Sequence, residues 1–287
     1  MSHDVTVLGS LNLDVVIALA AVPAAGETVL ATGQRRVPGG KGLNQAIATA
    51  RAGVRTRMVG AVGSDEAAAV LLAAAADAGV DVTAVRRLDG PSGTAWVMVQ
   101  ADGDNAIVVD AAANGRVSDL TPGDLTAVTD GGVLVMQLET PLPAVLGAAL
   151  AARSARTKVV LNAAPARDLP DDLWDAVDVL VVNEHEAAHY PEARGRVGAV
   201  VVTLGADGAR VLDADGERHV PGVRADVIDT TGAGDTFTGY LAAALASGAT
   251  LDAAVARAVV AGALAVESAG AVPSIPSAAQ VDRRAAR

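Results

Sequence analysis

The 287-residue chain carries 22 Lys plus Arg against 33 Asp plus Glu, a formal net charge of −11, with 51% apolar residues and no cysteine. Without cysteine there is no disulfide scaffold, zinc ribbon or thiol nucleophile, and the acidic balance argues against non-specific nucleic-acid binding. No apolar run approaches the ~18 residues of a membrane span, and Met-Ser-His-Asp lacks the basic-then-apolar pattern of a secretory leader. The expectation is a cytoplasmic protein with one large core.

In chain order, the apolar run 5–8 reads as a buried strand, followed by the polar residues Asn12 and Asp14. Residues 13–38 turn to an alternating, half-polar pattern. A glycine-rich stretch, 38–44, then leads into a predicted helix over 43–52. A strand over 57–62 and an Ala-rich helix over 66–78, stopped by Gly79, come next. Residues 93–110 resume the alternating pattern, with Ala-Asp-Gly-Asp-Asn after Gln100 as a hairpin-turn signal. Thr121-Pro122 reads as an N-cap followed by proline in the first helical turn. Strands are predicted over 132–137, 158–161, 177–182 and 200–204, with a helix over 142–153. Glu139 follows one of these strands. Helices over 240–246, stopped by Gly248, and 253–266 complete the pattern.

Unbroken apolar strands alternating with helices predict an α/β fold, a mostly parallel central sheet covered by helices on both faces. Residues 13–38 and 93–110 predict a smaller β-sheet lid. The core then comprises 1–12, 39–92 and 111–287. Such a lid suits chemistry that must exclude water.

Three constellations offer chemistry. In Pro38-Gly39-Gly40-Lys41-Gly42-Leu43-Asn44, glycines admit a ligand to the backbone, and Lys41 and Asn44 add donors suited to hydroxyls. A plain glycine turn explains the loop equally well. In Asp229-Thr230-Thr231-Gly232-Ala233-Gly234-Asp235, small residues at a helix start expose backbone N–H groups and the positive dipole end, an anion site. Asp235 there can take a proton from a hydroxyl attacking phosphorus. A helix cap alone does not call for the two preceding glycines.

The third, Asn183-Glu184-His185-Glu186-Ala187-Ala188-His189, supports three readings. Asn183 and Glu186 have the spacing of a capping box. His185, Glu186 and His189 match the zinc-hydrolase helix, with Glu192 or Glu217 needed as a third ligand. In the third reading, Glu186 organises Mg²⁺-bound water near a phosphate.

Taken together, these stretches resemble the ribokinase-like (PfkB) sugar kinases over nearly the whole length, from Val7-Leu-Gly-Ser-Leu-Asn-Leu-Asp14 to Gly270-Ala-Val-Pro-Ser274. The Gly39–Asn44 and Asp229–Asp235 stretches match both signatures of that family, and Met136-Gln-Leu-Glu-Thr-Pro141, 162–167 and Asn183-x-x-Glu186 match further segments. The resemblance implies a homodimer paired lid to lid and phosphorylation of D-ribose at its 5-hydroxyl by ATP, with fructose, a ketodeoxy sugar acid or pseudouridine as alternative acceptors. By motif, Asn12, Asp14, Gly40, Lys41, Asn44 and Glu139 would hold the sugar. Asp235 would be the base, with Gly232, Ala233 and Gly234 as the anion hole.

Asn183 and Glu186 would serve nucleotide phosphates and Mg²⁺, the latter through water, and Thr203, Gly205 and Gly208 would border the nucleotide. Asp229, Thr231, Ala265, Ser268, Gly270 and Ser274 would hold K⁺, several through carbonyls. Two departures stand out. The chain is about a helix shorter between Glu186 and Thr203, and Asn162-Ala163-Ala164-Pro165 lacks the usual proline two residues before Pro165. With only Trp96, Trp174, Tyr190, Phe237 and Tyr240 as rings, the adenine is expected between aliphatic side chains.

Overall fold

The apolar runs form strands buried on both sides. The computed structural model describes residues 5–100 and 105–286. Its strands are β1 (Val5–Leu8), β2 (Asn12–Leu19), β3 (Gly33–Gly39), β4 (Thr56–Val62), β5 (Val80–Arg87), β6 (Gly93–Gln100), β7 (Asn105–Asp110), β8 (Val133–Met136), β9 (Lys158–Asn162), β10 (Val179–Asn183), β11 (Ala199–Thr203), β12 (Gly208–Asp213) and β13 (Gly216–Pro221). Nine of them make one sheet in the order β13-β12-β11-β10-β9-β8-β1-β4-β5. Pairing is parallel from β11 through β5, and only the β11–β12 and β12–β13 pairings are antiparallel. Successive side chains point to opposite faces. Val5, Val7, Val133, Val135 and Val181 enter one core, and Leu8, Leu134, Met136, Leu161 and Val182 enter the other.

The helices are α1 (Lys41–Arg51), α2 (Glu66–Asp77), α3 (Pro122–Thr129), α4 (Leu142–Ala155), α5 (Asp171–Trp174), α6 (Glu184–His189), α7 (Ala233–Ala246), α8 (Leu251–Ala265), α9 (Ala271–Ser274) and α10 (Ala278–Ala285). Leu43 and Ile47 of α1, Tyr240 and Leu241 of α7 and Val255 of α8 fill the first core. Val128 of α3, Val145 of α4 and Trp174 of α5 fill the second. The result is the expected α/β fold, a central sheet between two helical layers. Thr121 caps α3 in a full capping box with Asp124. Gly79 (φ 83°) and Gly248 (φ 85°) take the left-handed conformation that ends α2 and α7. Among the described residues no helix is long and apolar enough to cross a membrane.

Two expectations need correction. The helix expected over 240–246 begins at Ala233, because Gly234 and Asp235 belong to its first turn rather than to a preceding loop. Strand β5 and the β12–β13 hairpin went unpredicted, since edge strands alternate apolar with charged residues. The short 187–202 connection closes without strain on the sheet: β10 and β11 pair in register from Val179↔Ala199 to Asn183↔Thr203. In place of a longer helix, buried Tyr190 packs edge-on against Trp174 at 5.5 Å, and its hydroxyl meets the Arg167 backbone.

Residues 12–19, 33–39, 93–100 and 105–110 make a second, four-stranded sheet in the order β3-β2-β6-β7. β6 and β7 pair antiparallel, and most of the hairpin signal that joins them, 101–104, lies outside the described residues. Trp96, Ile107, Val108 and Val109 leave apolar surface exposed on this sheet.

Candidate active site

The parallel strands deliver polar residues to a single edge. Ser10 follows β1, Gln137 and Glu139 follow β8, and β9, β10 and β11 end on Asn162, Asn183 and Thr203. Neighbouring strands therefore build a row beyond the carboxyl ends, where open α/β sheets bind ligands.

At one end of the row the chain enters and leaves the small sheet. The Ser10 hydroxyl donates to Glu139 Oε2 at 2.5 Å, and the Lys41 amide donates to the same oxygen at 3.2 Å. Gly40 (φ 89°) caps α1, and a Cβ there would stand 2.8 Å from the Asn12 nitrogen. A Cβ on Gly39 would meet Asp14 Oδ2 at 2.1 Å. The glycines are thus required for the loop to lie against Asn12 and Asp14. Burial, reinforced by the negative charges of Glu139 and Asp235, pushes the Asp14 carboxyl up to about 7. The charge of Asp235 above all raises the Lys41 ammonium; burial opposes this, and Glu139 and Glu186 add to it. Lys41 is therefore a fixed positive charge among the three carboxylates of Asp235, Glu139 and Glu186.

Asp235 lies in the first turn of α7, only 7% exposed. Its Oδ2 accepts the Asn44 side-chain amide at 2.9 Å, and its Oδ1 accepts that of Gln45 at 2.9 Å. The carbonyl oxygen of Asn44 is buried without a partner. Gly232 (φ 76°) turns the chain into α7. The Ala233 amide donates to Thr230 at 3.2 Å, whereas first-turn amides such as those of Gly234 and Asp235 have no partner within a helix. Nothing lies within 4 Å of where a Gly234 Cβ would stand, so the backbone there is open to a ligand. Lys41, Asn162, Asn183, Glu186, Thr203, Gly232, Gly234 and Asp235 line one cleft.

Asn183 and Glu186 form the capping box of α6: the Glu186 amide donates to Asn183 Oδ1 at 2.7 Å, and the Asn183 amide donates to Glu186 Oε2 at 2.9 Å. Gly205 and Gly208 sit farther out, in the turn before β12 and at its start, and do not line the cleft. The zinc reading fails. Among the described residues no three His, Asp or Glu side chains are arranged to hold a metal ion. His185 is exposed, His189 lies 3.5 Å from Asp168, and Glu217 faces Arg210.

Asp229 ties two segments together: Oδ1 accepts the Thr231 amide at 2.9 Å and Oδ2 the Gly270 amide at 2.8 Å. Burial pushes its carboxyl up, but these hydrogen bonds outweigh that and hold it below the usual range. The carbonyl of Val266 accepts from Ile228 and Asp229, Ser268 donates to Ala265, and Ser274 Oγ donates to Ala271.

Gln45 and Asn114 escaped the sequence reading, and Ser10 and Gln137 stood there only within longer motifs, without a role of their own. Asn114 holds both backbone polar groups of Leu11 and accepts no substitute geometry, since its Nδ2 also donates to Asn12 Oδ1 at 2.8 Å. Their only local signal was a polar side chain inside an apolar neighbourhood.

The family model described as pfkB family carbohydrate kinase matches residues 2–278. The chain belongs to the pfkB carbohydrate kinases. It is a sugar kinase, a phosphotransferase. This pfkB kinase is 36% identical over 292 residues to ribokinase from Bacillus subtilis, with 98% of each chain covered. To ribokinase from Haemophilus influenzae it is 35% identical over 295 residues, covering 96% of each. Its fold matches the structure of Arabidopsis thaliana ribokinase complexed with ribose and ATP with a TM-score of 0.93 at 30% identity, over 99% of both chains.

Proposed function

We propose that the protein is a ribokinase, transferring the γ-phosphoryl group of ATP to the 5-hydroxyl of D-ribose. The observation that carries this reading is buried Asp235, held by two side-chain amides where the Asp14–Lys41–Glu139 cluster meets the cleft of Asn183, Glu186 and Thr203. Full-length similarity to ribokinases supports the choice of acceptor.

Asn12, Asp14, Gly40, Lys41, Asn44 and Glu139 hold the sugar hydroxyls, with the unpartnered Asn44 carbonyl as one ready acceptor. Asp235 takes the 5-hydroxyl proton as its oxygen attacks phosphorus. The Gly232-Ala233-Gly234 turn receives charge on the transferring group through backbone N–H groups at the helix start. Thr203 borders the nucleotide in the cleft, and Gly205 and Gly208 border it farther out, beyond the cleft. Four of the five aromatic rings, those of Trp174, Tyr190, Phe237 and Tyr240, are buried in the cores, and Trp96 is on the small sheet. That supports an adenine held between aliphatic side chains.

Asn183 and Glu186 fit a role at Mg²⁺ through water: the cap uses Glu186 Oε2 and leaves Oε1. Bound Mg²⁺ would neutralise phosphate charge. Asp229, Thr231, Ala265, Ser268, Gly270 and Ser274 fit K⁺, since one carboxylate among hydroxyls and carbonyls suits a monovalent cation, and K⁺ would support the anion hole electrostatically. The 13–38 and 93–110 segments act as the lid of the 1–12, 39–92 and 111–287 core, and pair with a second copy as a homodimer. An ATP-dependent reaction fits a cytoplasmic location.

A coupled assay across ribose, deoxyribose, fructose, adenosine and pseudouridine tests the acceptor. Ribose is expected to give the highest kcat/KM; turnover of another acceptor without ribose would overturn the assignment. Asp235→Asn is expected to lower kcat by ~10² or more with ribose still bound, the usual scale for losing a general base.

A further inference from the structure

Asp235 is held by more than the sugar loop. Gln45 is fully buried, and both hydrogens of its side-chain amide are committed: one to Asp235 Oδ1 at 2.9 Å, the other to Asn162 Oδ1 at 3.0 Å. Its carbonyl oxygen accepts Gln137 Nε2 at 2.6 Å. An amide whose two donors and acceptor are satisfied by three different elements has a single orientation open to it. Asn162 is fixed in turn, donating to the Val181 carbonyl at 3.1 Å. Gln137 is lodged against Gly9, where a Cβ would stand 2.0 Å from Gln137 Oε1.

Backbone packing sets the same alignment. Gly239 lies one turn after Asp235 on α7, and a Cβ there would come within 2.7 Å of the Gln45 backbone carbonyl oxygen and 2.5 Å of the Ala48 Cβ. Only a glycine lets α1 and α7 approach so closely. That contact puts Gln45 opposite Asp235.

We propose that Gln45 is a positioning residue for phosphoryl transfer: with Gln137 and Asn162 it locks the rotamer of Asp235, so that the carboxylate presents a free lone pair to the sugar hydroxyl. The proposal rests on Asp235 being the general base. Gln45 is fully buried and does not line the cleft, so it acts through Asp235. Without it, Oδ1 loses a charge-assisted hydrogen bond, and the carboxylate gains torsional freedom that costs productive alignment.

The test is a double-mutant cycle on the full chain, measuring kcat and KM for ribose and ATP together with thermal stability. Gln45→Met, which keeps the volume, is expected to lower kcat about ten-fold or more while each KM changes by less than about three-fold. Gln137→Met, which frees the Gln45 amide without removing it, is expected to give a smaller fall in kcat. In the Asp235→Asn background, Gln45→Met is expected to have no further effect on the residual kcat, because the two act as one unit. A folded Gln45→Met enzyme with wild-type kcat overturns the proposal. So does a full ten-fold loss repeated in the Asp235→Asn background, which would mark a structural effect. Should Gln45→Met not fold, a Gln137→Met enzyme with unchanged kcat overturns it instead. Wild-type kcat in Asp235→Asn would sink the reading of Asp235 as base, a result distinct from any of these.

Discussion

Asp14, proposed to hold the sugar, is kept at the expense of stability. Burial and two neighbouring carboxylates hold its pKa at about 7, against 3.8 for the free group. Between those values the folded chain keeps a proton that the unfolded chain has lost, so this group makes stability fall as pH rises through that window, with the full loss above about pH 7. Asp14→Asn removes the loss. Urea unfolding is expected to show the variant more stable by about 2–4 kcal/mol near pH 8, with little gain near pH 4. Its KM for ribose is expected to rise at least ten-fold, one charged hydrogen bond's worth. A variant no more stable at high pH would show that Lys41 already compensates the buried charge.

Among the elements, the packing of α1 on α7 governs both stability and chemistry. Gly239→Ala is expected to force the helices apart, lowering stability by about 1–3 kcal/mol, and kcat with it, as read by denaturant titration and steady-state kinetics. Unchanged kcat in a destabilised variant would mean that Asp235 and Gln45 follow each other when the helices shift. Most core elements were legible because burial on both faces leaves an unbroken apolar run, as in β8 and β10. β5 was not, since Val-Asp-Val-Thr-Ala-Val-Arg-Arg at a sheet edge mixes apolar with charged residues. The glycine loops at 39–42 and 232–234 announced themselves through backbone conformations that other residues avoid. Gln45, Gln137 and Asn114 did not. Their bonds reach across 92 to 190 residues of chain, and no local pattern encodes a partner that distant.

Across the whole molecule, the exposed Trp96, Ile107, Val108 and Val109 are what pairing through the small sheet would cover. Sedimentation is expected to show a dimer, and Val108→Lys a monomer with the secondary structure of the parent; a dimer that survives the substitution would place the interface elsewhere. Site and interface are also mechanically joined. The chain passes between the two sheets at 9–11, 40, 88–92 and 111–113. Asn12, Asp14, Gly40 and Lys41 stand at the first two of these passages, and Asn114 stitches the first to the last through Leu11 and Asn12. The small sheet is therefore a lever whose pivot is made from the residues proposed to grip the sugar. A substitution at its far edge, on β7, is therefore expected to change the KM for the acceptor more than the KM for the nucleotide, whose side is anchored to strands that never leave the core; steady-state kinetics checks this.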